Sequence, residues 1–339
     1  MQKIISIIFG AVLAMQASAE PLSVIDYKHI TNTVMQKGIL PGHKLFYEKT
    51  SLLKDSITNV CNSSGLVSNA KQAYLESSMT WAGLEWINFG PVMVNDRKMR
   101  ISFFPDKHNV GSRQLRKAIN TQDYALLTEI SNDKASYALQ GFKALDKILF
   151  QNNISKNRYS CAMALAISTN INTIASELNR AWHEEYSQLY GTNVSTEDAL
   201  ENTREILEST RLLLQIMRDH KLGRPLNKGK KVKITSVEYG ASGYSLLALK
   251  INALVIYKGL NSSLTKILSA EKRSRFYTVS KSIIDRIDNA KYPLKIALKK
   301  DKPMVKALYN DVNVLLILYD KMLNKNFGFK QAFNSLDGD

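Results

Sequence analysis

"CAMALAISTNINTIASELNRAWHEEYSQLY", residues 161–190, decides the fold class. Its apolar residues Cys161, Leu165, Ile167, Ile171, Ile174, Leu178 and Trp182 recur mostly at steps of three and four. That spacing lays one stripe along a single face and predicts a long, half-buried helix. A strand would alternate with period two, and no sustained alternation occurs here or elsewhere in the chain.

Working outward, the helical period repeats. Residues 195–221, "STEDALENTREILESTRLLLQIMRDHK", carry Leu200, Ile206, Leu207, Leu213 and Met217 on one face. Ser195 or Thr196 ahead of Glu197 and Asp198 supplies a capping start, and basic residues before Gly223 supply the stop. Residues 242–260 and 302–323 are further amphipathic runs. Upstream, residues 66–87 end at Asn88-Phe89-Gly90-Pro91, which is turn chemistry. About eight to ten helices with short connections imply packed helical bundles, an all-α protein. The Gly191-Thr192-Asn193 loop divides it into an N-terminal half, 20–190, and a C-terminal half, 191–339. No internal repeat of ~20–50 residues stands out, which argues against a solenoid.

The first nineteen residues, "MQKIISIIFGAVLAMQASA", read as a signal peptide. Lys3 gives a basic start, Ile4 to Met15 an apolar core, and Ala17-Ser18-Ala19 a cleavage site before Glu20. The expectation is an exported, periplasmic protein. No later stretch approaches ~18 uninterrupted apolar residues, so an integral membrane protein is not expected. An oxidising compartment favours pairing Cys61 with Cys161, the two cysteines of the chain.

The formal charge is +16. Export sets that against an anionic membrane surface, an acidic ligand or an envelope partner rather than nucleic acid. The densest basic stretch, with Lys228, Lys230, Lys231 and Lys233, has no interleaved aromatics for base stacking and reads as a solvated loop. Among the histidines, His183 opens "HEEYS", but Ser187 stands where a zinc peptidase needs its second histidine. No phosphate loop, nucleophile elbow or C-x-x-C occurs. The segment "WAGLEWINFGPVMVNDRKMRISFFPDK" gathers Trp81, Trp86, Arg97 and Arg100. It reads either as core running into an ordered loop or as the wall of a ligand cleft.

"FGPVMVND", "RISFFPDK", the helix around "GFKALDKILF", the cysteine opening the next helix, "HKLGRPL" and "SGYSLLALKINALVIYKGL" occur in the order found in imelysin-like proteins. The resemblance spans nearly the whole mature chain. It implies two four-helix-bundle-like halves packed together, an exported bacterial protein linked to iron uptake, and a family named for metallopeptidase activity. The family signature G-x-H-x-x-E falls on Gly141-Phe142-Lys143-Ala144-Leu145-Asp146.

Residues three apart share a helix face, so an imidazole and a carboxylate there would converge on one cation, iron or zinc by resemblance. In this chain the histidine is Lys143 and the glutamate is Asp146. An ammonium offers three donors and no acceptor, and repels a metal unless burial strips its proton. Lys143 and Asp146 are instead expected to pair with each other. The candidate cleft therefore comprises Gly141, Lys143, Asp146, Arg97 and Arg100, with Trp81 and Ser242 beside them, and Asp146 as the one metal candidate. The leading expectation is a non-catalytic binding or accessory protein. The alternative is a divergent metallopeptidase built from His108 or Glu85 with Asp146.

Overall fold

The structure, a computed structural model, describes residues 24–106, 108–152, 154–227, 230–263 and 268–327. The expected signal peptide and Lys228 lie outside these residues. No strand occurs among the described residues. The first part contains α1 (Val24–Val34), α2 (Leu40–Cys61), α3 (Val67–Leu84), the short α4 (Arg97–Ile101), α5 (Val110–Thr121), α6 (Tyr124–Ser131), α7 (Phe142–Gln151) and α8 (Arg158–Ala181). It continues with α9 (Thr196–Gln215), the single turn α10 (Arg224–Leu226), α11 (Ser245–Ser263), α12 (Ala270–Asp288), α13 (Leu294–Lys300) and α14 (Lys302–Phe327). The helices outnumber those expected because the short ones, α4, α6, α10 and α13, carry little periodic signal.

The caps show why the boundaries fall where they do. Asn157 accepts a hydrogen bond from the Ser160 amide at 2.8 Å and opens α8. Ser195, rather than Thr196, accepts from the Asp198 amide at 3.0 Å and opens α9. Each removes one unpaired amide from a helix start, worth about 1 kcal/mol.

α8 buries the expected stripe, with Ile167, Ile171, Ile174 and Leu178 fully enclosed. It packs most extensively on α2, which in turn lies along α3, while α6 and α7 close over α8. A second group forms from α9, α11, α12 and α14, and α3 against α11 joins the two. α1, from the start of the described chain, lies on α9 and α11. The disulfide Cys61–Cys161 ties the end of α2 to the first turn of α8, with the Cα atoms 5.6 Å apart. No helix among the described residues is long and apolar enough to cross a membrane.

The run from 161 to 190 is not one uninterrupted α-helix. It widens into a π-turn at Trp182–Tyr186. There Trp182 is fully buried among Phe89, Tyr186 and Tyr190. Gly90 makes the insertion fit. Its φ is +66°, and a Cβ at that position would stand 2.6 Å from the Trp182 ring. A left-handed residue with no room for a side chain has to be glycine.

Candidate functional site

The motif helix α7 begins at Gly141, whose backbone is extended at φ −125° and ψ −169°. Its need for glycine is steric. A Cβ would lie 2.2 Å from the Ile101 carbonyl oxygen and 2.5 Å from that of Arg100. Both clashing atoms are backbone and cannot rotate away, so α7 docks on α4 only without a side chain here.

Lys143 does not pair with Asp146, contrary to expectation. Its ammonium sits 3.1 Å from Asp106, a buried carboxylate at the start of α5. Asp106 also accepts from the amides of Val110 at 2.7 Å and Gly111 at 3.1 Å. Burial alone would raise the Asp106 pKa, but Lys143 and these amides outweigh it and hold it below the usual carboxylate range. Burial lowers the Lys143 pKa, and Asp106 opposes that shift.

Asp146 faces a different partner. Its two oxygens accept from the backbone amides of Ala241 at 2.9 Å and Ser242 at 3.1 Å. These bonds fasten α7 to the turn that leads into α11. Burial is the dominant influence and raises the Asp146 pKa, while the bonds from Ser242, Ala241 and Tyr74 restrain the rise. One helix turn therefore commits two charged side chains to different partners.

Beyond Asp146 lies a second buried polar cluster. Lys221, 3% exposed at its side chain, contacts Glu85 at 2.6 Å and Glu238 at 2.9 Å. It also donates to Asn252 at 3.0 Å. Burial lowers the Lys221 pKa, but Glu238 and Glu85 outweigh it and the net shift is upward. Glu238 is pushed up to about 7, by burial first and by the nearby Glu85 charge, against the pull of Lys221. Lys98 falls to about 8, chiefly through burial. Its ammonium donates to the carbonyls of Glu85 and Ile87, both at 2.9 Å. Tyr239, buried between the two clusters, has no hydrogen-bond partner for its hydroxyl among the described residues.

The remaining candidates are held inside the fold. Arg97 forms a two-pronged contact with Glu177, at 3.1 and 2.9 Å, and donates to the Pro91 carbonyl. Arg100 is buried and bonds Gln140 at 3.0 Å, Asn170 at 3.1 Å and Asp133. Trp81 is a core residue packed on Phe46, not a cleft wall. Ser242 does join Asp146, through both its amide and its hydroxyl, and the hydroxyl also reaches the Tyr239 carbonyl. Lys230, Lys231 and Lys233 are exposed, as a solvated loop requires.

The proposed alternative ligands do not converge. His108 is exposed, and Glu85 is committed to Lys221 and Asn252. No group of three metal-ligating side chains occurs among the described residues. The donor set at the motif does not fit a resident cation: an ammonium holds the imidazole position, and the carboxylate oxygens are aimed at amide protons.

The chain is all-α among the described residues, and its glycine-led motif helix α7 packs on α3, α5 and α8. The Imelysin (Peptidase M75) family model matches residues 39–317, and the chain belongs to the imelysin family. The fold is shared with an imelysin-like protein from Psychrobacter arcticum 273-4, at TM-score 0.78 and 18% identity. That match covers 92% of this chain and 98% of the other. It is also shared with a candidate iron-regulated protein A precursor from Parabacteroides distasonis ATCC 8503, at TM-score 0.76 and 15% identity, covering 91% and 97%. No curated protein sequence matches the chain.

Sequence reading missed Asp106, Tyr74, Tyr239, Glu238 and Lys221. Asp106 was visible within "FFPDK", and Glu238 precedes the "YGASGYS" turn. What marked neither was the partner, which lies far away along the chain.

Proposed function

We propose that this chain is an exported binding or accessory protein of the bacterial periplasm, linked to iron acquisition and without peptidase chemistry of its own. The observation that carries the reading is the division of the motif. Lys143 is ion-paired with Asp106, and both oxygens of Asp146 accept from the amides of Ala241 and Ser242. Metal-assisted hydrolysis needs an open Lewis acid and an activated water. The residues at this locus supply a latch between α7, α5 and the 237–244 turn instead. The iron link is supported by the name of the Parabacteroides distasonis structure, an iron-regulated precursor. Export is supported by the order of basic start, apolar core and cleavage site in residues 1–19 and by the disulfide.

The test is to recover the protein from the periplasmic fraction, sequence its N-terminus and assay it on denatured casein. The expected chain begins at Glu20 and leaves casein intact with or without added ferrous iron or zinc. Chelator-sensitive hydrolysis that vanishes in Asp146→Ala would overturn the reading.

A further inference from the structure

A cavity of about 570 Å³ lies apart from the motif, between α1, α2, α3, α9, α11 and α14. Its volume falls within the range of small-molecule sites, ~300–1,000 Å³, and far exceeds the voids left by ordinary core packing. Met79, Leu84, Trp86, Ile251 and Val255 provide apolar wall. Two of its three lining threonines, Thr80 and Thr210, donate to carbonyls of their own helices, Glu76 and Ile206.

Three helical glycines open onto this space, and neither backbone nor packing demands them. None has a positive φ. A Cβ on Gly38 or Gly259 would meet nothing within 4 Å, and one on Gly83 would make ordinary contacts with Ile251 and Val255 at 3.7 and 4.0 Å. Glycine inside a helix is destabilising relative to alanine, so Gly83 and Gly259 leave volume at the cavity at a cost in stability, while the exposed Gly38 stands at its mouth. Gly42 is the contrast, since its Cβ would press to 2.7 Å on Leu84. Gly38 also belongs to a π-turn, Met35–Ile39, and π insertions concentrate at functional sites.

The charges at this cavity are one-sided. Glu76, its one lining carboxylate, is held by Lys49 at 2.8 Å. Lys37 and Lys258 are exposed and in no ion pair among the described residues. An apolar chamber with uncompensated ammonium groups matches one chemistry, an apolar chain ending in a negative head. We infer that this cavity binds a single-chain amphiphile with an anionic headgroup, either a free fatty acid or a one-chain anionic lipid. The inference is independent of the reading of the motif.

The probes are decanoate, 1-decanol, decyltrimethylammonium and 1-myristoyl-lysophosphatidylglycerol, each titrated calorimetrically below its micelle concentration into detergent-free, delipidated protein. Saturable binding of decanoate or of the lysolipid at one site per chain is expected, and the tighter of the two identifies the free-acid or the lipid source. Gly83→Leu fills the cavity while favouring helix, so it should keep or raise the melting temperature and weaken binding roughly tenfold or more. Lys37→Glu with Lys258→Glu should weaken the anions by roughly tenfold and leave 1-decanol unchanged. Absence of binding by the wild type overturns the proposal, whether the space stays empty or is filled by the chain itself. Equal affinity for decyltrimethylammonium, or binding unaffected by Gly83→Leu, overturns it as well.

Discussion

Replacing Lys221 with methionine tests the buried ionic cluster most severely. The substitution keeps the length of the side chain and removes three contacts, to Glu85 at 2.6 Å, Glu238 at 2.9 Å and Asn252 at 3.0 Å. It leaves two carboxylates facing each other, with side chains 11% and 6% exposed. Breaking a buried pair from one side costs ~3–5 kcal/mol, because the remaining charge is uncompensated. That is a large share of a typical domain's total stability of ~5–15 kcal/mol.

The cost should depend on pH in a particular direction. Glu238 already has a folded pKa raised to about 7, and without Lys221 it rises further. A carboxyl with a raised folded pKa contributes stability that is complete below its unfolded value, near ~4.3, and is lost as pH rises through the folded value. The variant's deficit should therefore be small near pH 5 and approach its full size by pH 8. Urea unfolding at both pH values, read by circular dichroism, measures it. Adding Glu238→Gln to the variant should recover much of the loss at pH 8, since only one buried charge then remains. A deficit under 1 kcal/mol at pH 8, or one equal at both pH values, would refute the reasoning.

Two further expectations follow from geometry. Gly141→Ala should cost about 3 kcal/mol or more, the upper end for overpacking, because the atoms it strikes are the carbonyls of Arg100 and Ile101; urea unfolding checks this, and a change within 0.5 kcal/mol would mean that α7 can lift off α4. Cys61→Ser with Cys161→Ser opens a cross-link spanning 100 positions, and should cost ~4–5 kcal/mol by the loop-entropy account. Melting temperatures of wild type and variant read that loss, and equal values would mean that the unfolded chain is already held compact by other contacts.

Much of the fold was legible in the sequence, for reasons that can be located. The stripe from Cys161 to Leu178 is long enough to fix a helix by period alone, and Ser195 or Thr196 ahead of Glu197 and Asp198 announces the start of α9. The π-turns were not legible, because a one-residue insertion at Trp182 leaves the apolar pattern nearly unchanged. The packing of α1 on α9 and α11 was equally silent, since periodicity names a face and not its neighbour.

The motif locus was half legible. Gly141 could be singled out, and the loss of imidazole at Lys143 could be read directly. The partners could not. Asp106 reaches Lys143 from 37 positions away, and Asp146 is met by backbone amides, which every residue but proline owns. The expectation that Lys143 and Asp146 would pair followed from their spacing alone, and nearer partners prevailed. Arg97 and Arg100 looked like ligand groups because arginine clusters often are, yet Glu177, Gln140 and Asn170 absorb them. The cavity left no mark of its own, because its walls come from helices far apart in the chain.

The central claim is that the motif locus is a latch satisfied by internal partners and not a cation site. Calorimetric titration of the signal-free protein with ferrous iron, ferric iron, zinc and copper tests it most directly, with Asp146→Ala alongside. The account predicts no saturable binding at this locus, identical traces for wild type and variant, and a loss of stability in the variant as the amides of Ala241 and Ser242 lose their acceptor. One-to-one micromolar binding by the wild type that disappears in Asp146→Ala would contradict it.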